Sequence, residues 1–169
     1  MKFTIIEMKS LGSLYHFTSV ETIIEIISTN VIILKDTSMG LPRNTDKISD
    51  KFTYKLSLTR NKHFDMESRP ALGNEMEAAL IFDGDRLSEF YKIVPFNYYA
   101  FDPDLLQAYP EGREKSNYWL ESEEMLLSNQ EAIDGINKFI KGIMITTNVG
   151  DIEKLKRIAH KRNIPIIKR

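Results

Sequence analysis

The run Leu14-Tyr15-His16-Phe17-Thr18-Ser19-Val20-Glu21 constrains the fold more than any other part of the chain. Its first residues read as a strand, with Tyr15 and Phe17 on one face and Leu14 and His16 on the other. Thr18-Ser19-Val20-Glu21 then reads as a capping box, in which the Thr18 hydroxyl accepts from a backbone amide and Glu21 reaches back. Val20, Ile23, Ile24 and Ile27 follow on one helical face. β-Branched residues are mediocre helix formers, so this helix must rely on packing. A strand that breaks straight into a helix also carries its histidine to the helix start, where free amides suit an anionic ligand.

Beyond Ser28-Thr29-Asn30, the segment Val31-Ile32-Ile33-Leu34 is apolar, and residues 35–51 read as a long polar loop with Gly40 and Pro42. Loops of that length are uncommon in compact domains unless they have a function. Phe52 to Thr59 is expected to be a strand and residues 60–74 a second polar loop. Ala78-Ala79-Leu80-Ile81-Phe82 reads as a buried strand closed by the turn Asp83-Gly84-Asp85. Tyr91 to Phe96 reads as a strand that Pro95 confines to an edge or an end. Residues 97–116 are aromatic-rich and read as an irregular flap. Met125-Leu126-Leu127 is apolar and leads into a loop through Asp134. A strand over Gly142 to Thr147, a helix over Asp151 to Arg162 and a short strand over Ile164 to Ile167 complete the chain. Many strands with one early and one late helix argue for an α+β fold in a single domain spanning residues 1–169.

Charge and composition remove several function classes. The net charge of -1 gives no global attraction to nucleic acid or membrane. The cluster Lys154, Lys156, Arg157, Lys161, Arg162, Lys168 and Arg169 reads as the solvated face of the last helix. No cysteine is present, so disulfides, thiolate metal sites and thiol nucleophiles are out. No apolar run approaches the roughly 20 residues of a membrane span, and a cytoplasmic location is expected. His63 and His160 lack metal-ligand spacing, and no metal is expected. Gly-rich dinucleotide loops, phosphate loops and a serine-hydrolase elbow are missing.

Three places retain chemistry. His16 is a polar group on an otherwise apolar strand. Ser57 and Thr59 share a strand face and are expected to line up beneath the guanidinium of Arg60, a residue type suited to phosphate. Glu121, Glu123 and Glu124 crowd the start of an apolar strand, and a carboxylate at that mouth can steady an oxocarbenium-like ribose or activate a nucleophile.

The order of these parts resembles the ADP-ribosyltransferase superfamily: Tyr15-His16-Phe17-Thr18, a helix, a polar loop, a hydroxyl-and-arginine strand and a late glutamate. It is most similar to the DarT toxin family and to small transferase-like proteins encoded by bacteriophages. The resemblance implies a split, twisted β-sandwich with a few flanking helices and NAD, as substrate, in a cleft. It implies a bond from His16 to an NAD ribose, with Thr18 supporting the nicotinamide-side pocket and Arg60 near the pyrophosphate. Tyr15, Ser57 and Thr59 join that NAD-binding set, and Tyr98 and Tyr99 are candidates to stack on nicotinamide. Glu124 matches the catalytic glutamate. Glu121-x-Glu123 offers a second register, similar to the Glu-x-Glu of arginine-modifying transferases. The activity implied is mono-ADP-ribosyl transfer to a macromolecular acceptor, whether protein, DNA or RNA. NAD hydrolysis, RNA 2′-phosphate transfer and silent nucleotide or partner binding are the alternatives.

Overall fold

A computed structural model of the protein describes residues 11–36, 52–60, 62, 77–95, 123–146 and 152–168. The described strands are β1 (Ser13–Thr18), β2 (Val31–Ile33), β3 (Lys35–Asp36), β4 (Tyr54–Thr59), β5 (Ala78–Asp83), β6 (Lys92–Pro95), β7 (Glu123–Ser128), β8 (Ala132–Asp134), β9 (Ile140–Ile145) and β10 (Ile166–Lys168). The helices are α1 (Val20–Thr29), α2 (Gly84–Ser88) and α3 (Glu153–Lys161), with a 3-10 turn at Ile136–Phe139. The main sheet runs β10-β9-β5-β1-β4-β7-β6, with β3 also paired to β4, while β2 and β8 form a separate two-stranded ladder. Pairing is antiparallel except between β9 and β10, which α3 joins as a parallel crossover.

The main sheet is weakest at its centre. β1 pairs with β5 along its whole length, from Ser13↔Asp83 to Thr18↔Ala78. β4 pairs with β7 along its whole length, from Tyr54↔Ser128 to Thr59↔Glu123. Between β1 and β4 only Tyr15↔Thr59 is paired, so the two halves part just beyond it. Because β7 occupies one edge of β4, β1 and β3 must share the other. β3 takes up the pairing lower down, at Lys35↔Lys55 and Asp36↔Tyr54. The apolar side chains follow the same division. Tyr15 and Phe17 pack with Ala79, Ile81 and Met144 on one side of the junction, and Met125 and Leu127 with Phe52 and Val94 on the other.

The opposite face carries the main core, where Leu14, Leu58, Leu80, Phe82, Leu126 and Ile143 meet the helices and the small ladder. Seven of the ten α1 residues are β-branched. Their poor propensity costs about 3 kcal/mol over the helix. Burial of Val20, Ile23, Ile26 and Ile27 contributes about 2 kcal/mol each and outweighs that cost.

Several sequence expectations change in detail. The cap of α1 is Ser19 and not Thr18, which remains in β1: Ser19 Oγ accepts from the Thr22 amide at 3.2 Å. The reciprocal acid is Glu77 and not Glu21, since Glu77 Oε2 accepts from the Val20 amide at 3.2 Å. Thus most of the amides expected to be free at this helix start are taken. Asp83 caps a helix where a simple turn was expected, and Gly84 approaches β1 so closely that a Cβ would lie 2.8 Å from the Gly12 carbonyl. Residues 35–36, read as loop, form β3, and the loop expected before Asp134 contains β8. β6 lies at the sheet edge and ends on Pro95, as its missing amide requires. Of the polar loops expected over 35–51 and 60–74, all but residues 35, 36, 60 and 62 lie outside the described residues, as does the flap over 97–116.

Candidate functional site

His16 stands where the two halves of the sheet part. Residues directly opposite in an antiparallel pair point to one face, so the pair His16↔Leu80 puts His16 on the main-core face with Leu14. One step past Tyr15↔Thr59, the ladder between β1 and β4 is replaced by a side-chain bond: His16 Nδ1–H donates to the Ser57 carbonyl at 3.0 Å. A carbonyl can only accept, so this bond fixes the tautomer of the neutral ring and leaves Nε2 as an acceptor. Burial holds the imidazole below its ordinary value of 6.5, the Ser57 bond opposes this, and the Lys35 charge adds to it. The ring is therefore neutral at pH 7 and suited to a hydroxyl donor. Nitrogen-detected NMR is expected to show the Nδ1–H tautomer and a titration midpoint below 6.5. A ring protonated at neutral pH would contradict this geometry.

Glu124 comes to the same face from the other half. It sits opposite Leu58, and the next pair, Leu56↔Leu126, lies in the main core. Extending the single β1–β4 pair by one residue brings His16 opposite Leu58, so His16, Leu58 and Glu124 fall in one transverse row. His16 and Glu124 are thus two strand spacings apart, about 10 Å between backbones. Glu124 is only 3% exposed, yet it is an acid at the end of a run that continues into Met125, Leu126 and Leu127. Arg60, just past the end of β4, places Nη2 2.6 Å from Glu124 Oε1. The contact is one of charge without hydrogen-bond alignment. Among the described residues, Glu124 Oε1, Glu124 Oε2 and Arg60 Nε are buried and meet no aligned hydrogen-bond partner. Burial raises the Glu124 pKa above the ordinary 4.5, and the Arg60 charge and contact pull it back.

Three buried polar atoms left open around one ion pair are costly in a finished core. They make sense where a ligand group completes the set. Thr18 lies two residues beyond His16 on the same face, half-buried at the end of β1. Ser57 and Thr59, expected beneath the guanidinium, point to the opposite face, because strand alternation sets them against Leu58 while Arg60 meets Glu124. The Ser57 contribution to this site is its main-chain carbonyl. Tyr15 also lies on the opposite face, where its ring stacks with Phe17 at 6.4 Å. The backbone of Glu123 pairs with Thr59. Glu121, Tyr98 and Tyr99 lie outside the described residues.

Glu77 was not anticipated. Its carboxylate holds the start of α1, and its carbonyl accepts from the Thr146 amide at 3.0 Å and hydroxyl at 2.7 Å. It therefore fixes the turn after Thr18 to the ends of β5 and β9. No local pattern marks this role, since the partners are remote in sequence. Among the described residues, no group of three acidic, histidine or cysteine side chains could hold a metal ion, and no helix is long and apolar enough to cross a membrane.

No protein-family model matches the chain, and no curated protein does. Solved structures do. DarT of Thermus sp. 2.9 in complex with NAD+ aligns over 93% of this chain and 94% of its own, with a TM-score of 0.53 and 11% identity. The same protein with carba-NAD+ aligns over 96% and 97%, with a TM-score of 0.54 and 10% identity. Its complex with ADP-ribosylated ssDNA aligns over 100% and 98%, with a TM-score of 0.53 and 11% identity. At this identity the likeness is one of fold: an α+β domain with a central mixed sheet and few helices, arranged as in the Thermus DarT structures.

Proposed function

We propose that the protein is a mono-ADP-ribosyltransferase that takes NAD as its substrate and passes ADP-ribose to a macromolecular acceptor, protein or nucleic acid. One observation carries the reading above all. A buried carboxylate, Glu124, held by Arg60 through Oε1 and with Oε2 unpartnered among the described residues, shares a face and a row with the tautomer-fixed His16 across the point where the sheet parts. The fold shared with DarT, which has been captured with NAD+ and with ADP-ribosylated ssDNA, supports it.

In this reading His16 Nε2 accepts a hydrogen bond from a ribose hydroxyl, while Thr18 borders the same pocket. The glycosidic bond to nicotinamide breaks with its electron pair leaving on the nicotinamide nitrogen, and positive charge develops on the ribose. The Glu124 carboxylate stabilises that charge from a site that already excludes water. The acceptor nucleophile bonds to the anomeric carbon, and its proton passes to Glu124 or to solvent. Arg60 steadies the carboxylate in its ionised form until the ribose charge appears, and its open Nε–H remains to meet a ligand oxygen. Tyr15, Ser57 and Thr59 act from behind the sheet, through packing and the Ser57 carbonyl.

Incubation with NAD labelled in its adenosine half, together with a cell extract, tests the proposal. Label is expected in a macromolecular fraction, and digestion with nuclease or protease tells which kind. Label found only in free ADP-ribose would turn the assignment to NAD hydrolysis, and intact NAD throughout would reject turnover.

A further inference from the structure

Lysines gather in a second row of the sheet, on the side of the β1–β4 gap occupied by β3. Lys35 and Lys55 are directly opposite each other, and Lys55 is in turn opposite Leu127, which is opposite Lys92. The three amino groups therefore project from one face in one row. Like charges directly opposite in a ladder are destabilising. Lys55 is moreover 6% exposed, and among the described residues none of the three lysines is in an ion pair. A lysine is almost never this buried without a partner. Cover for apolar neighbours would explain the burial of the Lys55 stem, but not a second cation set against it. Burial lowers the Lys55 pKa, Lys35 lowers it further, and Asp36 acts against both. Lys55 shares its strand face with Ser57 and Thr59, so the row stands on the face opposite His16 and Glu124, beside Met125 and Leu127.

We infer that Lys35 and Lys55, with Lys92 two strands away, form a binding site for a phosphate group, distinct from the Arg60–Glu124 pair. A phosphate brings the missing negative charge and several acceptor oxygens within reach of both facing amines. Arg60 is already committed to Glu124, and among the described residues no carboxylate forms an ion pair with these lysines, although the Asp36 charge acts on Lys55. The inference needs no transfer reaction to hold. The phosphate belongs either to a nucleotide bound on this face or to a nucleic-acid backbone crossing it, and the experiment separates the two.

Titration calorimetry with inorganic pyrophosphate at constant ionic strength is the test. The double variant Lys35→Gln/Lys55→Met is expected to bind about tenfold or more weakly than the parent, whereas Lys55→Arg, which keeps the charge, stays within about twofold. Lys156→Gln/Lys161→Gln removes the same charge from the exposed face of α3 and should change nothing. Should the double variant fail to fold, Lys35→Gln alone, at an exposed position, is expected to weaken binding severalfold. Parallel titrations with NAD and with a short single-stranded oligonucleotide assign the source by which affinity falls. A parent protein that does not bind pyrophosphate overturns the inference. So does equal binding by parent and lysine variants, or an equal loss in the α3 control.

Discussion

Glu124→Gln is expected to reduce ADP-ribosyl transfer by about 10³-fold while leaving the protein folded. The carboxamide keeps the shape of the side chain but cannot balance charge on the ribose or take a proton. Its effect on stability runs the other way. Burial raises the Glu124 pKa above 4.5, so the folded state prefers the protonated acid. For the parent, this contribution is fully present below 4.5 and is lost as pH rises through the elevated folded value. Above that window the variant should melt at the same temperature or higher, because it no longer holds a buried charge. Activity assays and thermal melts on the same samples check both halves. Full turnover in Glu124→Gln would move the catalytic role to Glu121 or Glu123, or end the case for transfer.

Much of this arrangement was legible from local pattern. Alternation along Leu14 to Phe17 gave the correct faces, because a strand has an exact period of two. The apolar run with acids at its mouth singled out Glu121, Glu123 and Glu124 together, and it took the fold to show that Glu124 is buried. The cap slipped by one residue because Thr18 and Ser19 are equally able acceptors, and the ladder with Ala78 claims Thr18 for the strand. The strand rule also placed Ser57 and Thr59 together, correctly, but the same alternation puts Arg60 on the other face, with Leu58 and Glu124. The roles of Glu77, Lys35 and the Ser57 carbonyl depend on contacts between remote segments, and no spacing in the chain announces them. The resemblance supplied the fold type, while the parting of β1 and β4 after a single pair depends on contacts between remote segments.

Arg60→Met is expected to change the pH dependence of the reaction as well as its rate. The arginine opposes the burial of Glu124 through both its charge and its contact. Without it, desolvation acts alone, and the carboxyl pKa climbs further from its ordinary value. In the proposed reaction the acid acts in its ionised form, so the rising limb of the pH–rate profile should move toward alkaline pH in the variant. At neutral pH the loss is expected to be about 10- to 100-fold, with part recovered as pH is raised. Arg60→Lys, which keeps a charge but loses the planar fork, should give a smaller displacement in the same direction. Removing one partner of a buried pair destabilises by about 2 kcal/mol here, less than for a fully enclosed pair, because Glu124 can take up a proton instead. A merely structural arginine would lower stability and total activity without displacing the profile. An unshifted limb with a reduced plateau would therefore show that Arg60 does not tune the acid, and would return it to a role in packing or in holding the substrate.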